Sequence, residues 1–422
     1  MIELFNGLVK IDGIVFFLFI IAIVIALGYL LGRITIKGVC LGTAGVFIVA
    51  LIVGAVFKDS IVSIKVFEAG DYDSAFKTME NLGLVFFVTS VGLIAGPNFF
   101  VNLKKYFKSY ILLGLIIIIL GGLTCAACYF IGSSSEPDHD YFIAMLVGIM
   151  SGALTSTPAF SASKATAVAT FAADGGARQE VIENAVTAGH GIAYIFGVVG
   201  VVLFVQLVPK LLRANMDEER NKVAAIESNN KRDVRKDLIK IDNYGLFVFG
   251  ISIIIGVFIG AIRIPLTSKG FSGTCFNLTT TGGALLTSLV LGHFGHIGRV
   301  SLEVNKKVLE VFRELGLMMF LIGAGIPGGV NFVANFKSVY FVYGIFMTLV
   351  PMIVGFIFAK YILKIPLFNN LGSITGGMTS TPALGTLINV TKSDDVASAY
   401  AATYPIALVA VVLVSQFLIL VL

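Results

Sequence analysis

Thr155-Ser156-Thr157-Pro158 and Thr379-Ser380-Thr381-Pro382 place the same polar tetrad at two points of a very apolar chain. Each copy sits in one frame, Gly148-x-x-Ser151-Gly152-Ala153-Leu154 before the first and Gly372-x-x-Thr375-Gly376-Gly377-Met378 before the second. Ala159 and Ala383 follow the prolines, and seven of the thirteen positions are identical. These residue types suit anion binding. Proline is at home in the first turn of a helix, and a Thr or Ser before it can cap that turn. Pro158 and Pro382 therefore each predict the start of a half-helix, with Thr157 and Thr381 as its caps. A helix start offers unpaired N–H groups and the positive end of the dipole. Two such starts meeting inside a membrane build a pocket for a carboxylate, with hydroxyls of Thr155, Ser156, Thr379 and Ser380 giving specificity. The bland alternative is a Ser/Thr-Pro kink in a membrane helix, which one isolated copy would fit equally well.

Further polar residues lie in apolar surroundings. Lys164 stands two turns past Pro158, where an intramembrane lysine is costly; it is a candidate holder of a second carboxylate or a side chain reaching the outer interface. Position 388, its counterpart, is Ile. Asn98 and Asn331 follow matched glycine-rich runs and either line the path or cap a helix end. His190, flanked by Gly189 and Gly191, is a candidate proton or substrate group or a packed imidazole. Cys125 and Cys128 lie within an apolar run and read as packing residues, so no cofactor or metal is expected. No catalytic constellation appears, and an enzyme is not expected.

The elements that hold these residues must be membrane helices. Of 422 residues, 57% are hydrophobic and 13% charged, against about a quarter charged in soluble domains. Runs such as Ile14–Leu31, Ile111–Ile131 and Ile406–Leu422 are long enough to span a bilayer. The net charge of +5 needs no nucleic acid, because cytoplasmic loops are basic. The first run lacks the flanks of a cleavable signal.

The chain also repeats itself. Leu82-Gly83-Leu84, Phe87, Gly92, Gly96, Asn98 and Phe99 recur as Leu315-Gly316-Leu317, Phe320, Gly325, Gly329, Asn331 and Phe332, eight identities in eighteen positions. Tyr194, Val201 to Leu203 and Gln206 recur as Tyr404, Val411 to Leu413 and Gln416. The expected organisation is a membrane repeat over 1–209, a charged linker over 210–243 and a second repeat over 244–422. The linker, with nine basic and seven acidic residues in 210–242, reads as helical or disordered. Apolar segments are expected at 13–32, 37–57, 82–100, 109–132, 141–170 and 183–208, then 244–263, 278–295, 311–330, 339–361, 368–392 and 396–421.

Loop charge orients these segments. Arg33, Lys37, Lys104, Lys105, Lys108 and the linker are placed in the cytoplasm, and the acidic stretches 58–80 and 133–140 outside. Both termini then lie outside, and 141–170 and 368–392 become opposed re-entrant hairpins. The all-α polytopic fold this gives is an inverted repeat of five spans plus a hairpin. Should the fifth segments cross as broken helices instead, twelve spans result and the halves run parallel.

The duplicated frame, with Tyr404-Pro405 near the start of the last span, resembles the aspartate:alanine exchanger family over both membrane halves. The resemblance implies a bacterial inner-membrane transporter exchanging an amino acid such as aspartate for alanine. It implies distant kinship with the cation:proton antiporter and bile-acid transporter group, hence an elevator-type motion and a homodimer. The segments 82–100 and 311–330 would complete a core with the hairpins, and the first two spans of each half would form a scaffold. Typical members carry two regulatory domains between the halves; here only the short linker stands there. The expected function is exchange of small carboxylate-bearing solutes across the bilayer, with the tetrads, Lys164, Asn98, Asn331, His190 and Tyr404 as site residues. The alternative is a sodium- or proton-coupled symporter or antiporter on the same fold.

Overall fold

A computed structural model describes residues 2–4, 9–36, 39–40, 44–64, 72–172, 177–227, 238–265, 270, 275–276, 278–335 and 337–422. Fifteen α-helices run along these residues. They are α1 (Gly13–Gly32), α2 (Ala44–Val56), α3 (Lys58–Val62), α4 (Tyr72–Gly132), α5 (His139–Ala153), α6 (Thr157–Phe171) and α7 (Ala177–Leu211). After these come α8 (Met216–Glu227), α9 (Leu246–Ala261), α10 (Thr279–Phe294), α11 (Lys306–Asn335) and α12 (Ser338–Tyr361). The chain closes with α13 (Leu367–Gly377), α14 (Thr381–Thr391) and α15 (Val396–Val421). The described strands form four short antiparallel two-stranded ribbons, all outside the helices.

Six of the described stretches are long and apolar enough to cross a membrane: Gly13–Gly32, Ser74–Pro97, Tyr106–Ser135, Ala177–Leu211, Ser338–Tyr361 and Val396–Val421. Gly45–Val56 and Leu246–Ala261 are shorter apolar helices. Large apolar side chains stand exposed along them, Leu18 and Leu30 on α1, Phe258 on α9, Phe346 and Ile357 on α12, and Phe417 and Leu420 on α15. In water such a surface would be unfavourable; in lipid it is the solvated face. The chain is a multi-pass, all-α membrane protein.

Two of the expected segments, 82–100 and 109–132, are not separate. The backbone stays helical from Tyr72 through Pro97 to Gly132. A proline inside a helix removes one hydrogen bond without necessarily ending the helix, because neighbouring turns absorb the kink. As a consequence Asn98 lies inside α4 and Asn331 inside α11, so neither ends a helix as the capping reading required; their side chains lie outside the described residues.

By its internal contacts the chain divides into two compact units, Met1–Phe87 with Val311–Phe336, and Val88–Glu310 with Lys337–Leu422. This differs from the expected grouping, which put 311–330 with the hairpins. Glycine explains the first unit. A Cβ on Gly83 would stand 2.6 Å from the carbonyl oxygen of Gly316, and a Cβ on Gly316 would stand 2.6 Å from that of Gly83. The start of α4 and α11 therefore touch backbone to backbone, as small residues allow between membrane helices. Tyr29 of α1 donates to Glu314 of α11 at 2.8 Å.

The second unit carries both tetrads. Here α5 packs along α7, and α13 along α15. The arms that follow the tetrads cross over: α6 packs on α15 as well as α7, and α14 packs on α7. At one end the loop before α5 is pinned by charge. Asp138 caps α5 by accepting from Tyr141 N at 3.0 Å, and the Arg178 guanidinium of α7 bonds both its oxygens, reaching Asp140 at 3.2 Å. Hydrogen bonding to Arg178 holds the Asp138 carboxyl at about 2, below its ordinary 3.8. At the start of α9, Asp242 accepts from four successive backbone N–H groups, Tyr244 to Phe247. The bond from Phe247 N leads in lowering its pKa.

A depressed carboxyl stabilises the fold above its unfolded pKa and ceases to do so as pH falls through its folded pKa. Asp138→Asn is therefore expected to lower the melting temperature at neutral pH by a few degrees, about 1 kcal/mol or less for a pair this exposed. The difference from the parent should shrink as pH falls from 3.8 toward 2. A thermal unfolding series in detergent measures both, and a difference independent of pH would contradict the assignment.

Candidate anion site at the paired helix starts

Each tetrad is a helix break followed by a helix start. α5 ends at Ala153 and α6 begins at Thr157; α13 ends at Gly377 and α14 begins at Thr381. None of these helices exceeds 15 residues, short of the roughly 20 needed to span a bilayer. The chain turns between them through left-handed threonines, Thr155 at φ 51° and Thr379 at φ 50°. A threonine in this region is strained, and such strain collects at functional sites.

The two breaks share one hydrogen-bond plan. Ser156 N donates to Ser151 O at 2.8 Å and Ser380 N to Thr375 O at 2.9 Å. Ser151 Oγ donates back to Gly148 O, and Thr375 Oγ1 to Gly372 O, each at 2.7 Å. The loops then grip each other. Thr155 Oγ1 donates to Met378 O at 3.1 Å, and Thr379 Oγ1 donates to Leu154 O at 2.7 Å. Equivalent donors thus satisfy equivalent carbonyls across the pair, all of them buried.

The caps fall one residue earlier than the sequence suggests. Ser156 and Ser380 occupy the capping positions, and Thr157 and Thr381 are the first helical residues, with the prolines second. The left-handed threonine completes the turn one residue sooner, which shifts the helix start forward. Ser156 Oγ accepts from Ala159 N at 3.3 Å. Ser380 Oγ makes no such bond and, though buried, has no hydrogen-bond partner. Because proline carries no N–H, each start presents few donors, and those of α14 are not occupied by their own cap.

The rear wall is also duplicated. His190 and Tyr194 of α7 lie with ring centroids 5.3 Å apart, and Tyr400 and Tyr404 of α15 with centroids 5.2 Å apart. His190 Nδ1 is 2.8 Å from Ser151 Oγ, and its ring lies 4.5 Å from that of Phe160. On the other side the Tyr400 hydroxyl is 3.2 Å from Thr381 Oγ1. Gly376 lets α13 approach the Tyr400 carbonyl; a Cβ there would stand 2.6 Å from it, and Gly152 plays the same part against the His190 carbonyl.

Thr155, Ser156, Thr379, Ser380, Thr381 and Pro382 are thus gathered and buried. Thr157 stands exposed at the start of α6 and Pro158 is half-buried, while Thr381 is 5% exposed. Tyr404 is buried against Tyr400, and His190 is half-buried. Lys164 pairs with Glu183 of α7 at 2.9 Å, an ion pair at the margin of the site. Four participants are not foreseen from the sequence: Ser151, the carbonyls of Leu154 and Met378, and Tyr400. Tyr400 was within reach, because it precedes Tyr404 by the same four residues that separate His190 from Tyr194.

The model of the aspartate:alanine exchanger family, described as a predicted permease membrane region, matches residues 20–210 and 248–420. An uncharacterized transporter of Bacteroides thetaiotaomicron is 25% identical over 556 aligned positions, covering 94% of this chain and 97% of the relative. Uncharacterized transporters of Desulfotalea psychrophila and Rhodopirellula baltica are 24% and 23% identical over comparable spans, covering 96% and 98% of their own lengths. Alignments this much longer than 422 residues open long gaps in this chain.

Thr155→Val and Thr379→Val each strand a buried carbonyl and should each cost about 1–3 kcal/mol of unfolding free energy. The double substitution should cost measurably less than the sum, since the two bonds close one ring. Unfolding of the four proteins in detergent measures this, and strict additivity would mean the loops act separately.

Proposed function

The chain belongs to the aspartate:alanine exchanger family, a family of membrane permeases, and from that premise we propose that it exchanges small carboxylate-bearing solutes across the bacterial inner membrane. The solutes are an amino acid such as aspartate against alanine, or a dicarboxylate. The observation that carries this reading is the mutual grip of the two loops, which brings two helix starts to one place. A carboxylate seated there accepts from the N–H groups and the side-chain hydroxyls of Thr157 and Thr381 and from the Ser380 hydroxyl. Charge-assisted bonds of this kind are about twice as strong as neutral ones. Lys164, pulled from Glu183, is the candidate for a second carboxylate.

The duplicated contacts support two repeats over 1–209 and 244–422, and the loop charges support their inversion with both termini outside. Alternating access of the elevator type and a homodimer complete the proposal, as the family implies. With no gradient needed, each half-cycle returns a loaded carrier, and flux requires solute on both sides. A coupled carrier is the second reading, favoured by one observation: the first repeat has an imidazole on Ser151 where the second has the Tyr400 phenol. A histidine there can carry a proton with the solute.

Counterflow in proteoliposomes separates these. Labelled aspartate added outside should accumulate only when a particular unlabelled amino acid or dicarboxylate is preloaded, without any ion gradient. Thr157→Val and Thr381→Val should each lower the initial rate at least about ten-fold, the loss of one good hydrogen bond to a charged group. Uptake that appears only with an imposed sodium or proton gradient would overturn exchange in favour of coupling.

A further inference from the structure

The two hairpins are not polar to the same degree. Along α13, Asn369 Nδ2, Asn370 Oδ1 and Ser373 Oγ are buried and have no hydrogen-bond partner, and at its far end Ser380 Oγ joins them. Asn369 and Asn370 are 1% exposed, Ser373 and Ser380 0%. Positions i, i+1 and i+4 occupy one arc of a helix, so the three α13 residues share a side. The corresponding residues of α5, by the register that pairs the tetrads, are Met145, Leu146 and Ile149. Ser156, the counterpart of Ser380, is occupied by Ala159 N. The unmet polar groups therefore run along α13 to the start of α14 and have no equivalent on α5; the unmatched hydroxyl of the first hairpin, Ser163 Oγ, lies on α6.

Burying polar groups unpaired in a membrane interior is costly. Four in a row, mixing amide donor, amide acceptor and hydroxyls, match no single charged ligand; they match water and small polar solutes, which both donate and accept. The base of this line is marked by the linker. Glu219 of α8 accepts from Leu367 N at 3.2 Å, and Arg220 donates from Nε and Nη2 to Thr391 O at 3.2 and 3.0 Å. Asp217 holds Arg220 in place at 2.9 Å. α8 thus touches the first residue of α13 and the last of α14.

We propose that α13 lines a hydrated access path, open during the transport cycle, that leads water and small polar solutes from the linker side to Ser380, and that α5 lines no such path. The proposal rests on Ser380 belonging to the solute site; its test needs no transport, so it fails or stands independently of the exchange assay.

The test is thiol accessibility in vesicles, on a background with Cys40, Cys125, Cys128 and Cys275 replaced by Ala. The probe is the membrane-impermeant 2-sulfonatoethyl methanethiosulfonate, which reacts only with a thiolate in contact with water. Glu218→Cys, on the exposed face of α8, reports which vesicle orientation presents the linker side. In that orientation Asn369→Cys and Ser373→Cys should react at least about ten-fold faster than Met145→Cys and Ile149→Cys. Asn370→Cys reads the same arc if either variant fails to assemble. Equal rates at the α13 and α5 positions, with Glu218→Cys labelled, would overturn the proposal. So would labelling of α13 only from the opposite side.

Discussion

A helix that ends inside a membrane exposes backbone groups that lipid cannot satisfy, and the fold around the site answers that constraint. α5 and α13 both stop within the protein, leaving the carbonyls of Leu154 and Met378 without an intrahelical partner. The threonine that turns one loop serves the carbonyl of the other. Neither loop is satisfied alone. That mutual dependence requires Gly152 and Gly376, which bring the breaks close to α7 and α15, and it requires the arms α6 and α14 to cross onto the opposite long helix. It also leaves the helix starts, rather than the helix ends, as the groups with donors to spare.

Much of this is legible in the sequence. Apolar run lengths located nearly every helix, because in lipid the demand for internal backbone pairing leaves helices as the answer. Pro158 and Pro382 located the starts of α6 and α14 to within a residue, since proline is favoured in the first turn. What failed to show was long-range or subtractive. The continuity of α4 through Pro97 depends on how neighbouring turns absorb one lost hydrogen bond, which no local pattern encodes. The capping role passed from Thr157 and Thr381 to Ser156 and Ser380 because Thr155 and Thr379 adopt left-handed backbone, a conformation rare for threonine and invisible in its propensity. The crossed pairing of Thr155 with Met378 spans more than two hundred residues, and only the internal repeat hinted at it.

The repeat also makes differences meaningful. Where both halves keep a residue, as at the tetrads, the pairing of the loops explains it. Where they diverge, as in His190 against Tyr400, Lys164 against Ile388 and Ser373 against Ile149, packing gives no reason for the polar choice. A carrier whose ligand has two unlike ends would need such divergence, since a symmetric site cannot distinguish a ligand's head from its side chain. The lysine arm lies on α6 and the unmet hydroxyls on α13 and at the start of α14, so the two kinds of contact come from different repeats.

The central claim is that both loops form one solute site. Equilibrium binding of labelled L-aspartate to the purified protein, by scintillation proximity, tests it most directly. The account predicts one molecule bound per chain, lost on substituting either Thr157 or Thr381. Two molecules per chain, or a binding event that survives one of the two substitutions unchanged, would contradict it.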